Sequence, residues 1–273
     1  MTNPSQTKEK IPMDWGMKNR YNSVFNAESG KTIFFAVDHG YFMGPTTGLG
    51  DMRKAIDPTA TYADALMLTR GALRTSVDPN FRKPIVLRVS SGTSILNQDL
   101  LHEGISVGIE EAIRMNAAMV AFSIMVGTES SERDTILGFS KVIDEAERYG
   151  IPTLAVTAVG RGLNRDARYL GLATRMAGEL GARLVKTYFC EDFEKVVAAS
   201  LVPVVIAGGK KIPEKDALTM AWRAIDAGAI GVDMGRNIFQ SEDPVAMMQA
   251  VGAIVHKGAS VDEAYELFLD LKA

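Results

Sequence analysis

Residues 183–189 read Arg183-Leu184-Val185-Lys186-Thr187-Tyr188-Phe189, an apolar and β-branched run with one lysine at its centre. Alternation along a strand places Leu184, Lys186 and Tyr188 on one face, with Val185 and Thr187 on the other. Seven further runs resemble it, over 32–37, 65–68, 84–89, 119–124, 152–156, 203–207 and 230–234. They recur about every thirty residues, the length of one βα unit. The segments between them carry helical periodicity. Val245, Met248, Val251, Ile254 and Val255 form one apolar stripe, with Ser241 as the expected N-cap and Pro244 in the first turn. Ala217, Met220, Ala221, Ala224 and Ile225 form another, closed by Gly228.

Strands that alternate with helices must pair in parallel, and eight such units close into a barrel. The chain has 273 residues, near the roughly 250 of a single (β/α)8, or TIM, barrel. No Gly-x-Gly-x-x-Gly follows the first run, which argues against a doubly wound dinucleotide-binding sheet. The expected organisation is a flexible tail over 1–12 and one α/β barrel domain over 13–273. That domain includes a helical arm over 15–25 and a final helix over 261–271. The arm either caps the barrel bottom or joins a subunit contact.

Composition excludes several functions. Hydrophobic residues make up 47% and charged residues 23%, ordinary for a globular domain and too apolar for disorder. A formal charge of −3 offers nothing to nucleic acid or an acidic membrane surface. No run is long enough to span a bilayer, and residues 1–12 lack the apolar core of a signal peptide. Cys190 is the only cysteine, which fits a reducing, cytoplasmic compartment. The three histidines, His39, His102 and His256, are too scattered for a metal centre, so no metal is expected.

Chemistry in such a barrel gathers at the C-terminal ends of the strands. There the first run gives Asp38-His39-Gly40, the sixth Lys186 and the eighth Asp233-Met234-Gly235-Arg236. Burial disfavours an ammonium ion and leaves a neutral amine, a nucleophile toward carbonyl carbon. The alternatives for Lys186 are escape of its head to water or a plain ion pair with Asp38. Gly208-Gly209 follows the seventh run and Gly235 the eighth. Two such loops on consecutive strands let backbone amides approach a phosphate, and Arg236 adds a bidentate clamp. His39 is placed either to orient substrate or to pack. Cys190 has even spacing from Lys186, but Glu191 and Asp192 beside it oppose a reactive thiolate.

Asp38-His39-Gly40 with Gly44-Pro45, Ser91-Gly92-Thr93-Ser94, Val185-Lys186-Thr187, Ala207-Gly208-Gly209-Lys210 and Met234-Gly235-Arg236-Asn237-Ile238-Phe239-Gln240 lie in fixed order. Together they resemble the class I aldolase family of the archaeal fructose-bisphosphate aldolase type. The closest likeness is to thiolases in that family that degrade phosphorylated autoinducer-2 diones. The resemblance implies Lys186 as the Schiff-base lysine, Asp38 as acid/base group, and Gly208, Gly209, Gly235 and Arg236 as the phosphate site. It also implies no bound cofactor, coenzyme A as co-substrate, a small phosphorylated carbonyl substrate, and a homo-oligomer of ten subunits. Aldolases of the family carry a tyrosine acid in a Tyr-Pro-Arg-Gly motif after the fifth strand. Here Val159-Gly160-Arg161-Gly162 stands in its place. Cleavage of a β-dicarbonyl needs that phenol less, because its leaving carbanion is already stabilised. The rivals are a fructose-bisphosphate-type aldolase, a 2-amino-3,7-dideoxyheptulosonate synthase and a non-catalytic phosphate-ligand sensor.

Overall fold

The computed structural model describes residues 13–96, 102–160 and 162–272. The tail expected over 1–12 lies outside them. Eight parallel strands close a barrel: β1 (Thr32–Ala36), β2 (Ala65–Thr69), β3 (Ile85–Arg88), β4 (Ala117–Val126), β5 (Thr153–Val159), β6 (Leu184–Tyr188), β7 (Val204–Ala207) and β8 (Gly231–Met234). Each strand pairs with its neighbour in sequence, and β8 returns to β1 with Phe34 level with Asp233. The largest extension is at the end of β5, three residues beyond the expected 152–156, while β4 exceeds 119–124 by two residues at each end. The β4 pairing with β5 continues from Val120 opposite Thr153 to Val126 opposite Val159, which holds the extra residues at both strands' ends, while Ala117 pairs with Ile85 of β3.

Both faces of the sheet are buried because two apolar layers sandwich it. Phe34, Met67, Val86, Met119, Leu154, Leu184 and Val205 fill the inside of the barrel. Ile33, Phe35, Leu68, Leu87, Val185 and Ile206 point outward against the helical ring. One position further along the inward-facing rows the side chains change character: Asp38, Arg88, Ser123 and Lys186 succeed the apolar filling. The barrel is therefore dry at the bottom and polar at the top.

The N-terminal helix (Trp15–Ser23) starts at Asp14, whose Oδ1 accepts from the Met17 amide at 2.8 Å. Tyr21, Val24 and Phe25 pack onto the inner cluster, so the arm plugs the bottom of the barrel. At the other end of the chain, Ser260 and Glu263 form a capping box that begins the helix Val261–Leu271. The helix Pro244–Lys257 corrects one expectation. Its N-cap is Asp243, not Ser241, since the Asp243 carboxylate accepts from both Val245 and Ala246 amides at 2.9 Å. The helix Glu214–Asp226 ends two residues before Gly228, which takes the left-handed conformation with φ 100°. A two-stranded hairpin, Ser90–Ser91 against Gly104–Ile105, follows β3 and carries Glu103 to the barrel mouth. Among the described residues no helix is long and apolar enough to cross a membrane.

Candidate active site

A cavity of about 260 Å³ opens at the C-terminal end of the strands. Lys186, Asp38, His39, Gly208, Gly209, Gly235 and Arg236 all line it. Asp233, Arg88, Glu103 and Arg165 line it too.

Lys186 projects inward from β6 and is 8% exposed, so its head does not reach bulk water. Nζ lies 3.0 Å from Oδ2 of Asp233, and 3.9 Å from the Met67 sulfur. The partner is Asp233 on β8 rather than Asp38. Neither oxygen of Asp233 has an aligned hydrogen-bond donor among the described residues. Burial pushes its carboxyl up to about 6, Lys186 pulling it back and Asp38 adding to the rise.

Asp38 is held differently. Its Oδ2 accepts from Nε of Arg88 at 2.9 Å, and Nη2 of the same guanidinium forms an ion pair with that oxygen, also at 2.9 Å. Burial opposes its ionisation, but Arg88, with His39 and Lys186 behind it, outweighs burial and holds the carboxyl below its ordinary range. Arg88 also donates from Nη1 to the Ser123 hydroxyl at 2.7 Å and stands over the Tyr41 ring at 5.3 Å. The Ser90 hydroxyl donates to Glu103 Oε2 at 2.5 Å, and Tyr41 donates to Oε1 at 2.6 Å. A buried arginine is thus surrounded by two carboxylates and a phenol, with both oxygens of Glu103 hydrogen-bonded and, among the described residues, only Oδ2 of Asp38 engaged.

His39 lies beyond the end of β1, in the αR backbone that opens the short helix Gly40–Met43. Strand alternation therefore does not apply, and it lines the same cavity as Asp38. Its ring meets Phe239 edge-on at 5.4 Å, and Nδ1 is 3.7 Å from Asp38 Oδ1. Burial pushes the imidazole down to about 4 against the pull of Asp38, so it is neutral near neutrality.

The two glycine loops have different reasons for glycine. Gly209 has φ 69°, which a side chain would strain, and open space beside it. At Gly235 a Cβ would come within 2.4 Å of both the Ala36 carbonyl oxygen and His39 Cε1, so bareness there serves close packing. Asn237 fastens the loops together: Nδ2 donates to the carbonyls of Gly208 at 2.5 Å and Lys210 at 3.2 Å, and Oδ1 accepts from the Ile212 amide at 2.9 Å. Arg236 is half-buried, its Nε without a partner among the described residues, and Arg165 stacks over Tyr188 at 4.0 Å. Neither arginine has a carboxylate partner among the described residues, leaving two cations for an anionic group.

Cys190 faces the outer layer, away from the mouth. Burial, with Asp166, Asp192 and Glu191 beside it, pushes its thiol up to about 11. Among the described residues no group of side chains suits a metal ion. Arg161 lies outside the described residues. Sequence reasoning missed Arg88, Glu103, Tyr41 and Arg165. Arg88 had a signal, being a charged residue ending the buried run Ile85-Val86-Leu87 as Lys186 interrupts its own.

A family model described as DeoC/LacD family aldolase matches residues 32–241. The chain is 50% identical over 261 residues to 3-hydroxy-5-phosphonooxypentane-2,4-dione thiolase of Escherichia coli strain K12, covering 95% of this chain and 89% of that protein. It is 51% identical to the thiolase of the same name from Yersinia enterocolitica, with the same coverage. Among solved structures it superimposes, with TM-score 0.78 and 25% identity, on an archaeal fructose-1,6-bisphosphate aldolase whose catalytic lysine is bound to a carbinolamine intermediate. That match spans 88% of this chain and 99% of the other.

Proposed function

The chain belongs to the DeoC/LacD family of aldolases, and from that membership we propose that it is a Schiff-base thiolase. Its substrate on this reading is 3-hydroxy-5-phosphonooxypentane-2,4-dione, and its products are acetyl-coenzyme A and dihydroxyacetone phosphate. The observation that carries the reading is the convergence on one cavity of a buried lysine, three carboxylates and two arginines, Arg165 and Arg236, that have no carboxylate partner among the described residues. Identity of 50% with thiolases of that name supports the substrate.

Lys186 attacks the carbonyl next to the phosphate-bearing carbon and becomes an iminium. That choice of carbonyl follows from electron flow. The bond that breaks joins the acetyl carbon to the hydroxyl-bearing carbon, and only an iminium on the far side of the latter can receive its electrons. The thiol sulfur of coenzyme A bonds to the acetyl carbon, the carbon–carbon bond breaks into an enamine, and the thiol's proton ends on the former hydroxyl-bearing carbon. Water then releases dihydroxyacetone phosphate. Asp38, with Oδ2 tied to Arg88, offers Oδ1 as base on the substrate side, worth roughly 10²- to 10⁴-fold. Neutral His39 orients the substrate beside it. Gly208, Gly209, Gly235 and Arg236 hold the phosphate, which fixes the register of the chain over Lys186.

Absence of a phenol at Val159 favours the thiolase over a sugar-phosphate aldolase. Incubation of the protein with the phosphorylated dione, with and without coenzyme A, tests this. Thioester formed only with coenzyme A, and lost in Lys186→Ala, is expected. Cleavage of fructose 1,6-bisphosphate without the thiol would establish the aldolase instead, and ligand binding without turnover would establish a sensor. We assign the enzyme to the cytoplasm, in keeping with its lone cysteine, and to a ten-subunit homo-oligomer on family resemblance, which light scattering checks.

A further inference from the structure

An amine delivered by Lys186 must first lose a proton, and the cavity contains three carboxylates that could take it. Glu103 is committed, with Tyr41 on one oxygen and Ser90 on the other. Asp38 is tied through Oδ2 to two nitrogens of a permanently charged arginine. Asp233 alone has an oxygen 3.0 Å from Nζ and no aligned donor elsewhere among the described residues.

Strand register explains the approach. Lys186 is level with Val205 on β7, and Asp233 is level with Ala207 on the same strand. The small Ala207 leaves room for the longer side chains to meet. The charged and titratable groups facing Asp233 are Lys186 from β6, Asp38 and His39 from the segment after β1, and Arg88 from β3. From β7, Val205 and Ala207 bring no charge.

We propose that Asp233 is a catalytic residue that takes the proton of Lys186 before imine formation and returns it to the departing hydroxyl. The inference rests on the imine reading of Lys186 and deepens it. The steps balance. The N–H electrons stay on nitrogen while the proton goes to Asp233 Oδ2. The nitrogen pair bonds to the carbonyl carbon, and nitrogen's next proton moves to the carbonyl oxygen, giving a carbinolamine. Protonated Asp233 gives its proton to that hydroxyl, which leaves as water as the C=N bond forms. Asp233 ends ionised beside the iminium, so the ion pair seen in the free protein is restored around the intermediate. Its raised carboxyl, near 6, matches a group that exchanges protons near neutrality, whereas Asp38 stays ionised.

Rapid mixing with dihydroxyacetone phosphate and borohydride, followed by intact-protein mass spectrometry, measures the rate of imine formation at Lys186. In the wild type the rate should fall as pH drops through about 6. Asp233→Asn should trap more slowly, on the order of 10²- to 10⁴-fold, and without that acid limb. Asp233→Glu, which keeps the carboxyl should Asp233→Asn fail to fold, should retain a limb with a displaced midpoint. Wild-type rate and pH dependence in Asp233→Asn, or an unmoved midpoint in Asp233→Glu, would overturn the role of Asp233 while leaving the imine intact. Failure of the wild type to trap at Lys186 would overturn both.

Discussion

Arg236 and Lys186 illustrate what a single residue reveals in sequence. Lys186 is a cation inside a buried run and Arg236 one just beyond the end of another, and burial without a visible partner demanded an explanation. The same logic applied to Arg88 would have found the group that keeps Asp38 ionised. Glu103 and Tyr41 gave no such signal, because they enter from a hairpin and a one-turn helix whose path no local pattern encodes. Asp233 was visible as a residue but not as the partner of Lys186, since that pairing depends on strand register across the intervening β7. Arg236→Ala should raise KM for the phosphorylated dione by roughly 10- to 100-fold, the worth of a charge-assisted hydrogen bond. It should barely alter KM for the unphosphorylated analogue, and steady-state kinetics on the pair checks this. Equal effects would remove the phosphate assignment.

At the scale of elements, the strand positions were legible because buried β-branched runs separated by capped helices leave few alternatives. Boundaries were less so. Ser241 and Asp243 are both good N-caps by type, and only the geometry of Pro244 at the first turn selects the carboxylate that reaches two amides. The loops after β7 and β8 read as separate glycine turns in sequence, yet the structure joins them through Asn237. Asn237→Ala should leave two carbonyls and an amide without their partner and cost about 1–3 kcal/mol. The expected signature is a lower midpoint in denaturant together with a raised KM for the phosphorylated substrate. A loss of stability with unchanged KM would show that the loops hold their shape without the clasp. Gly235→Ala should be harsher than Gly208→Ala, because its Cβ meets backbone at 2.4 Å where the other meets the flexible Met234 side chain at 3.1 Å. Thermal melts of the two variants rank them.

For the whole molecule, the Asp38–Arg88 pair links catalysis to acid stability. Asp38 titrates below its unfolded value of 3.8 in the fold. The pair's contribution is therefore complete above that value and is lost as pH falls through the lower, folded one. Arg88→Leu strands a buried carboxylate and should cost roughly 3–5 kcal/mol near neutrality. Melting temperatures of wild type and variant should converge on acidification, and a constant gap would deny the pair that role. The barrel's two halves carry a last consequence. With Tyr21, Val24 and Phe25 below and Phe34, Leu154 and Leu184 filling the middle, the chamber is a flask sealed at its base. A reactant seated there is its own stopper, so hydrogens shed inside are slow to mix with the bath.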